Sequence, residues 1–123
     1  MIRVENLVKT YGRVKASNHL TCSFDENKIT VILGGSGSGK STLLRQMTGL
    51  EQPDSGSVYF DDLDLTRATK GQLFEKRKKM GMLFQGSALF NDLNVYENIA
   101  FPLREHTRIA ENVIKTIVTM KLE

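Results

Sequence analysis

One cysteine, two prolines and no tryptophan stand among the 123 residues, and no apolar stretch approaches the roughly 18 residues that a membrane span needs. Cys22 alone has no partner for an internal disulfide, which fits a reducing compartment. Its flanks, Leu20-Thr21 and Ser23-Phe24, read as strand, so it is expected as a small packed side chain rather than a nucleophile. The opening Met1-Ile2-Arg3-Val4-Glu5 lacks the layout of a secretory leader, and together these absences predict a cytoplasmic protein. Neither sign of charge dominates: Lys and Arg number 17 against 14 Asp and Glu, a net charge of +3. The one basic cluster, Lys76-Arg77-Lys78-Lys79, has no recognition motif or interleaved aromatics, so it reads as a solvated helix face and argues against nucleic acid as a partner. Internal repeats and low-complexity tracts are also missing. A chain of this length, 40% apolar and 25% charged, suits one ordinary folded domain that buries about two thirds of its unfolded surface.

Against that background one stretch stands out. Gly34-Gly35-Ser36-Gly37-Ser38-Gly39-Lys40-Ser41 follows the apolar run Ile29-Thr30-Val31-Ile32-Leu33 and precedes Thr42-Leu43-Leu44-Arg45-Gln46-Met47. It fits G-x-x-x-x-G-K-[ST], the pattern of a phosphate-binding loop. Glycines admit backbone conformations closed to other residues, and the helix start that follows adds a partial positive charge. Inward-turned N–H groups then form a nest for phosphate oxygens. Lys40 would reach the β- and γ-phosphates of a nucleotide as a point charge, Ser41 would ligate Mg2+, and Thr42 stands close enough to touch the α-phosphate. A Gly/Ser run standing alone is more often a flexible linker. Here strand, loop and helix follow in the required order, and chance should produce the pattern in roughly one chain of this length in a few hundred.

Along the rest of the chain, Ile2, Val4 and Leu7-Val8 suggest a strand running to a turn at Tyr11-Gly12. Val14 to Ala16 and Leu20 to Phe24 read as two further short strands, and Ile29 to Leu33 as a strand buried on both faces. A helix from Gly39 ends near Gly49, a turn at Pro53-Asp54-Ser55-Gly56 leads to a strand at 57–60, and residues 66–79 have helical character. Asp61, Asp62 and Asp64 lack calcium-loop spacing and read as an aspartate-rich turn. Met80 to Phe84 is an apolar strand ending at Gln85, and Pro102 should end or kink a helix that begins at Val95. After Thr107, one ridge of Ile109, Val113 and Ile117 and a second of Ala110, Ile114 and Val118 form an amphipathic helix. A helix still burying a face at the last residue has the look of a longer domain cut short.

Joined to its neighbours, the loop makes the sequence resemble the first half of the ATP-binding subunit of an ABC transporter. Tyr11, 23 residues before Gly34, stands where that family places an aromatic that stacks on adenine. The turn and strand Gln52-Pro53-Asp54-Ser55-Gly56-Ser57-Val58 match, and Gly81-Met82-Leu83-Phe84-Gln85 resembles the strand and glutamine of the Q-loop. The family often has proline where Gly35 stands. A narrower likeness, over residues 82–98 and 100–107, is to the bacterial phospholipid transporters of outer-membrane lipid asymmetry, also called toluene-tolerance or organic-solvent-resistance systems.

The resemblance implies an α/β fold of the P-loop NTPase type: the amino-terminal part of one ABC nucleotide-binding domain over residues 1–123, with an antiparallel β subdomain and the start of the helical subdomain. It implies ATP and Mg2+ as cofactors, the metal held by Ser41 and Gln85, with Lys40 and Gln85 as the catalytic groups on this chain. Gly34, Gly35, Ser36, Gly37, Ser38, Gly39, Lys40, Ser41 and Thr42 would bind the phosphates and Tyr11 the base. Partners would be a second ATPase copy, head to tail, and membrane permease subunits met through the Q-loop region, on the inner face of the cell membrane. The signature sequence Leu-Ser-Gly-Gly-Gln, the Walker B aspartate with its glutamate, and the switch histidine do not occur, and His19 and His106 fit no catalytic position. The chain by itself is therefore expected to bind ATP weakly, to turn it over slowly or not at all, and to self-associate through apolar edges left uncovered. A GTPase would want Asn-Lys-x-Asp, which is absent, and neither a GTPase nor a small kinase accounts for Tyr11 together with Gln85.

Overall fold

Val4 and Leu7 of the first strand are both fully buried although three positions apart, a spacing that the two-residue period of a regular strand cannot put on one face. A bulge resolves the conflict. Asn6 takes a left-handed conformation, φ 51°, and the pairing of β1 (Ile2–Tyr11) slips by one residue across it on both sides. Gly56, at φ 90°, makes room for the bulge, since a Cβ there would lie 2.4 Å from the Asn6 carbonyl oxygen. The computed structural model describes residues 1–86 and 88–123. Ser87, part of the run that carries the narrower resemblance, lies outside the described residues.

Residues Met1–Met80 and Gly81–Glu123 form two compact units. The first holds an antiparallel sheet in the order β2-β1-β3-β4, with β2 at Val14–Phe24, β3 at Ser55–Phe60 and β4 at Leu63–Asp64. The two short strands expected at 14–16 and 20–24 are one: β2 continues through a slip in its pairing near His19, which takes φ 53°. Helix α1 (Lys40–Met47) lays Leu43 and Met47, one turn apart, into a core with Val4, Leu7, Val58 and Leu65. Helix α2 (Lys70–Arg77) starts in a reciprocal cap between Thr69 and Gln72. At its other end Arg77 donates to the carbonyls of Thr48 (3.2 Å) and Gly49 (2.6 Å) just past α1, so α2 holds the C-terminal end of the loop's helix. Asp61 accepts from the N-terminal ammonium and from Lys76, which makes the aspartate-rich turn a set of ion pairs.

Two expected strands do not form. Residues 29–33 and 80–84 belong to no strand, and Ile29, Val31 and Leu33 are 96%, 69% and 87% exposed while Ile32 alone packs against the core. The alternation is that of a strand, but among the described residues no neighbour pairs with it to complete a ladder, and a strand exists only as part of one.

The second unit is a pair of helices, α3 (Val95–His106) and α4 (Glu111–Leu122), packed through Ala100, Ile114 and Val118. Asn94 caps α3 by accepting from the Glu97 N–H at 2.8 Å. Pro102 does not end α3, which runs on to His106. Arg104 bridges Glu97 and Glu111, tying the two helices together. Of the two ridges read in α4, the one with Ile114 and Val118 is buried, and Val113 of the other is half exposed. Among the described residues no helix is long and apolar enough to cross a membrane.

Candidate functional site

The glycine-rich segment closes on itself before α1 begins. Gly37 and Gly39 have φ of 76° and 89°, left-handed values that few other residues adopt. A Cβ on Gly39 would sit 2.1 Å from the Ala16 carbonyl oxygen, so glycine lets the foot of the loop press against β2. At Gly35 and Gly37 a Cβ would meet nothing within 4 Å, leaving that side of the loop open. Helix α1 has Gly39 as its cap, no capping side chain and no acidic residue in its first turn. Its earliest N–H groups and the positive end of its dipole are therefore free for an anion.

Lys40 bends back over the loop and donates to the carbonyls of Gly34 and Gly35, 2.7 Å each, and to Ser38 Oγ at 3.3 Å. A charged donor is thus fixed at the loop's mouth by the loop itself. Ser41 is exposed and Thr42 half-buried. A cavity of about 190 Å3 is bordered by Gly37, Ser38, Gly39, Lys40, Ser41 and Thr42 on one side and by Tyr11, Val14 and Ala16 on the other. The fold therefore brings Tyr11 to the edge of the loop. Gly34, Gly35 and Ser36 shape the loop without bordering that cavity. A larger space of about 440 Å3 lies on the other side of the loop, where Ser38, Gly39 and Lys40 meet a mostly apolar wall that includes Leu20, Phe24, Val31, Leu33 and Leu43. Gln85 lies in the other unit, exposed, in a turn after residues 81–84.

Of the residues that surround Tyr11, Lys9 and Glu51 carried no sequence signal and Asp54 was read only as part of a turn. The Tyr11 hydroxyl donates to Glu51, and Lys9 Nζ stands over the Tyr11 ring, 5.5 Å from its centroid. Lys9 also reaches the Gln52 carbonyl at 2.9 Å, Asp54 at 3.2 Å and Glu51 at 3.7 Å. The second oxygen of Asp54 accepts from the Thr10 N–H at 2.7 Å. That N–H and then the Lys9 ammonium hold the Asp54 carboxyl below its usual 3.8. Desolvation pulls the Lys9 ammonium down, but Asp54 and Glu51 outweigh it and raise its pKa.

The residues present suit a nucleotide phosphate: open glycines, unclaimed helix N–H groups and a fixed cation converge on one cavity. A magnesium ion would find the exposed Ser41 hydroxyl, and among the described residues no group of three His, Cys, Asp or Glu could hold a metal on its own. Such a site suits Mg2+, which keeps waters and takes most of its other ligands from phosphate.

An antiparallel sheet beside a glycine-rich loop and its helix is the architecture of the amino-terminal part of an ATP-binding cassette. The profile of the ABC transporter family matches residues 17–123, and the chain belongs to that family. It is 46% identical, over its whole length, to the intermembrane phospholipid transport system ATP-binding protein MlaF of Haemophilus influenzae, of which it covers 47%. It is 40% identical over 99% of its length to the probable ribonucleotide transport ATP-binding protein mkl of Mycobacterium leprae, covering 35% of that protein. A solved dimeric, post-hydrolysis structure of the ATP-binding cassette MJ0796 with ADP and Pi superimposes with a TM-score of 0.89 at 28% identity, covering 98% of this chain and 55% of that one. The chain thus spans about half or less of the length of the curated relatives it matches.

Proposed function

We propose that the chain binds ATP with Mg2+ as the amino-terminal part of one ABC nucleotide-binding domain, in a protein that drives phospholipid transport. The observation that carries this reading is the cradle itself: Lys40 poised over Gly34 and Gly35, with the open first turn of α1 beside it. Phosphoryl transfer to water needs positioned phosphates, neutralised charge and an oriented nucleophile. Gly34 to Gly39 and the N–H groups of the α1 first turn position the phosphates, Lys40 supplies charge, and Thr42 approaches the α-phosphate. Ser41 would hold the metal, which when bound would help neutralise the phosphate charge, while Gln85, its partner by the family resemblance, belongs to the second unit. Tyr11 stacks on the base. The 46% identity to a phospholipid transport protein favours lipid as cargo over the ribonucleotide named for the mycobacterial relative. In the complete protein a second copy completes the site head to tail, and permease subunits contact the region of Gln85 from within the membrane, which places the protein at the cytoplasmic face.

A titration with a fluorescent ATP analogue tests the core of the reading. Saturable binding that requires Mg2+ and disappears in Lys40→Ala is expected, with phosphate release near background because no residue of this chain stands as general base. Steady turnover abolished by Lys40→Ala would overturn the second half of that expectation. Ile29, Val31 and Leu33, exposed on an unpaired apolar stretch, also support self-association of the chain.

A further inference from the structure

We propose that Lys9 and Glu51 are positioning residues that fix the Tyr11 ring as a preformed platform for the purine base. The proposal rests on the nucleotide reading above and deepens it. Tyr11 ends β1 and precedes the left-handed Gly12, φ 57°, so its ring stands at a hairpin tip, where side chains ordinarily turn freely. Here the ring is held at two points. Its hydroxyl donates to Glu51, and the Lys9 ammonium stands over its face. Lys9 and Tyr11 are two residues apart on β1, a spacing that puts both on one face.

Lys9 is itself immobilised. Its carbon stem is largely covered, with the side chain only 16% exposed, and its ammonium meets Gln52, Glu51 and Asp54. Asp54 in turn clamps the Thr10 N–H. The segment 51–54 therefore grips the end of β1 from outside the strand and aims the ring. Tyr11 nevertheless remains 45% exposed and borders the cavity with Gly37 to Thr42. A ring both held and open can stack on a base without losing rotamer freedom at the moment of binding. None of these groups reaches the phosphates, so the tether acts on the base end of the ligand alone.

The test compares two ligands. Affinities for Mg-ATP and for inorganic tripolyphosphate are measured by calorimetry on the full chain and on Tyr11→Phe, Lys9→Met, Glu51→Gln and Tyr11→Ala. Tyr11→Phe keeps the ring and leaves Glu51 its contact with Lys9, so it is the mildest probe of the tether. Tether variants should lose about three- to tenfold in ATP affinity, a fraction of the Tyr11→Ala loss, with tripolyphosphate binding unchanged. Equal losses for both ligands would reduce the network to a structural role and overturn the proposal, as would unchanged ATP affinity in all three tether variants. The nucleotide reading fails separately, through absence of tripolyphosphate binding or its indifference to Lys40→Ala. In that event aromatic NMR relaxation of Tyr11 in the free chain still judges the tether: the ring should be ordered, and mobile in Lys9→Met and Glu51→Gln. An equally mobile ring in all three would overturn it.

Discussion

Strand β1 and residues 29–33 both carry β-branched apolar residues in a strand-like pattern, yet one is inside a sheet and the other belongs to no strand. β1 pairs with β2 on one side and β3 on the other, and its Val4 and Leu7 are fully buried. Ile29 and Leu33 have 96% and 87% of their surface exposed. The difference lies in neighbours, not in residue type. A strand's stability comes from the cross-strand pairs and the layer beneath it, and local preference cannot replace them. β1 finds its partners within the first 60 residues, whereas 29–33 finds none among the described residues.

Substitutions should reproduce that contrast. Leu7→Ala removes a fully buried side chain from the sheet core and should cost about 2–5 kcal/mol, read by denaturant unfolding. Gly39→Ala comes next: its left-handed φ and the 2.1 Å approach of a Cβ to Ala16 predict a loss of about 1–3 kcal/mol, along with weakened phosphate binding. Gly35→Ala, with nothing within 4 Å of the new carbon and no left-handed φ, should leave stability near that of the parent.

A third effect is smaller and depends on pH. Asp54 is held below its usual 3.8 by the Thr10 N–H and Lys9, so its strap is fully present above about 3.8 and is lost as pH falls through the lower folded value. Unfolding midpoints of the parent and Asp54→Asn should therefore differ by the same amount at pH 7 and pH 5, and draw together as pH falls below 3.8 toward the lower folded value. A change in stability within about 0.5 kcal/mol is also expected for the double variant Ile29→Ser, Leu33→Ser. That variant should also lower the concentration-dependent mass seen by light scattering. A loss as large as that of Leu7→Ala would show that 29–33 is packed in solution, and would erase the contrast.

Features that depend on local chemistry were legible in the sequence. The loop, the start of α1 and the strand ending at Phe60 follow from glycine placement, helical spacing and a Pro-Asp-Ser-Gly turn. The meeting of Tyr11 with the loop was legible only through the family resemblance, because nothing in a spacing of 23 residues dictates contact. The single β2 strand was hidden by its bulge, which breaks the alternation that would have joined its halves. The strands expected at 29–33 and 80–84 failed for the reason already given: their pattern was right and their ladders are absent. Pro102 was read as ending or kinking a helix, and it does not end it: its missing N–H removes one hydrogen bond from a helix that Ala100 and the Arg104 bridges hold elsewhere. The grip of Lys9, Glu51 and Asp54 joins residues 40 to 45 positions apart through charge, and no local pattern announces it.

The close fit of Gly39 against Ala16 also bears on the order in which a ribosome delivers the parts. The loop is braced sideways by β2 and continues into α1, whose Leu43 and Met47 sit in the sheet's core. The residues that border the cradle, and the Leu65 and Arg77 that hold α1 from beneath and from its far end, are all synthesised before α3 and α4. A ligand that bound the first unit would therefore favour its folded form by mass action without calling on the helices made last.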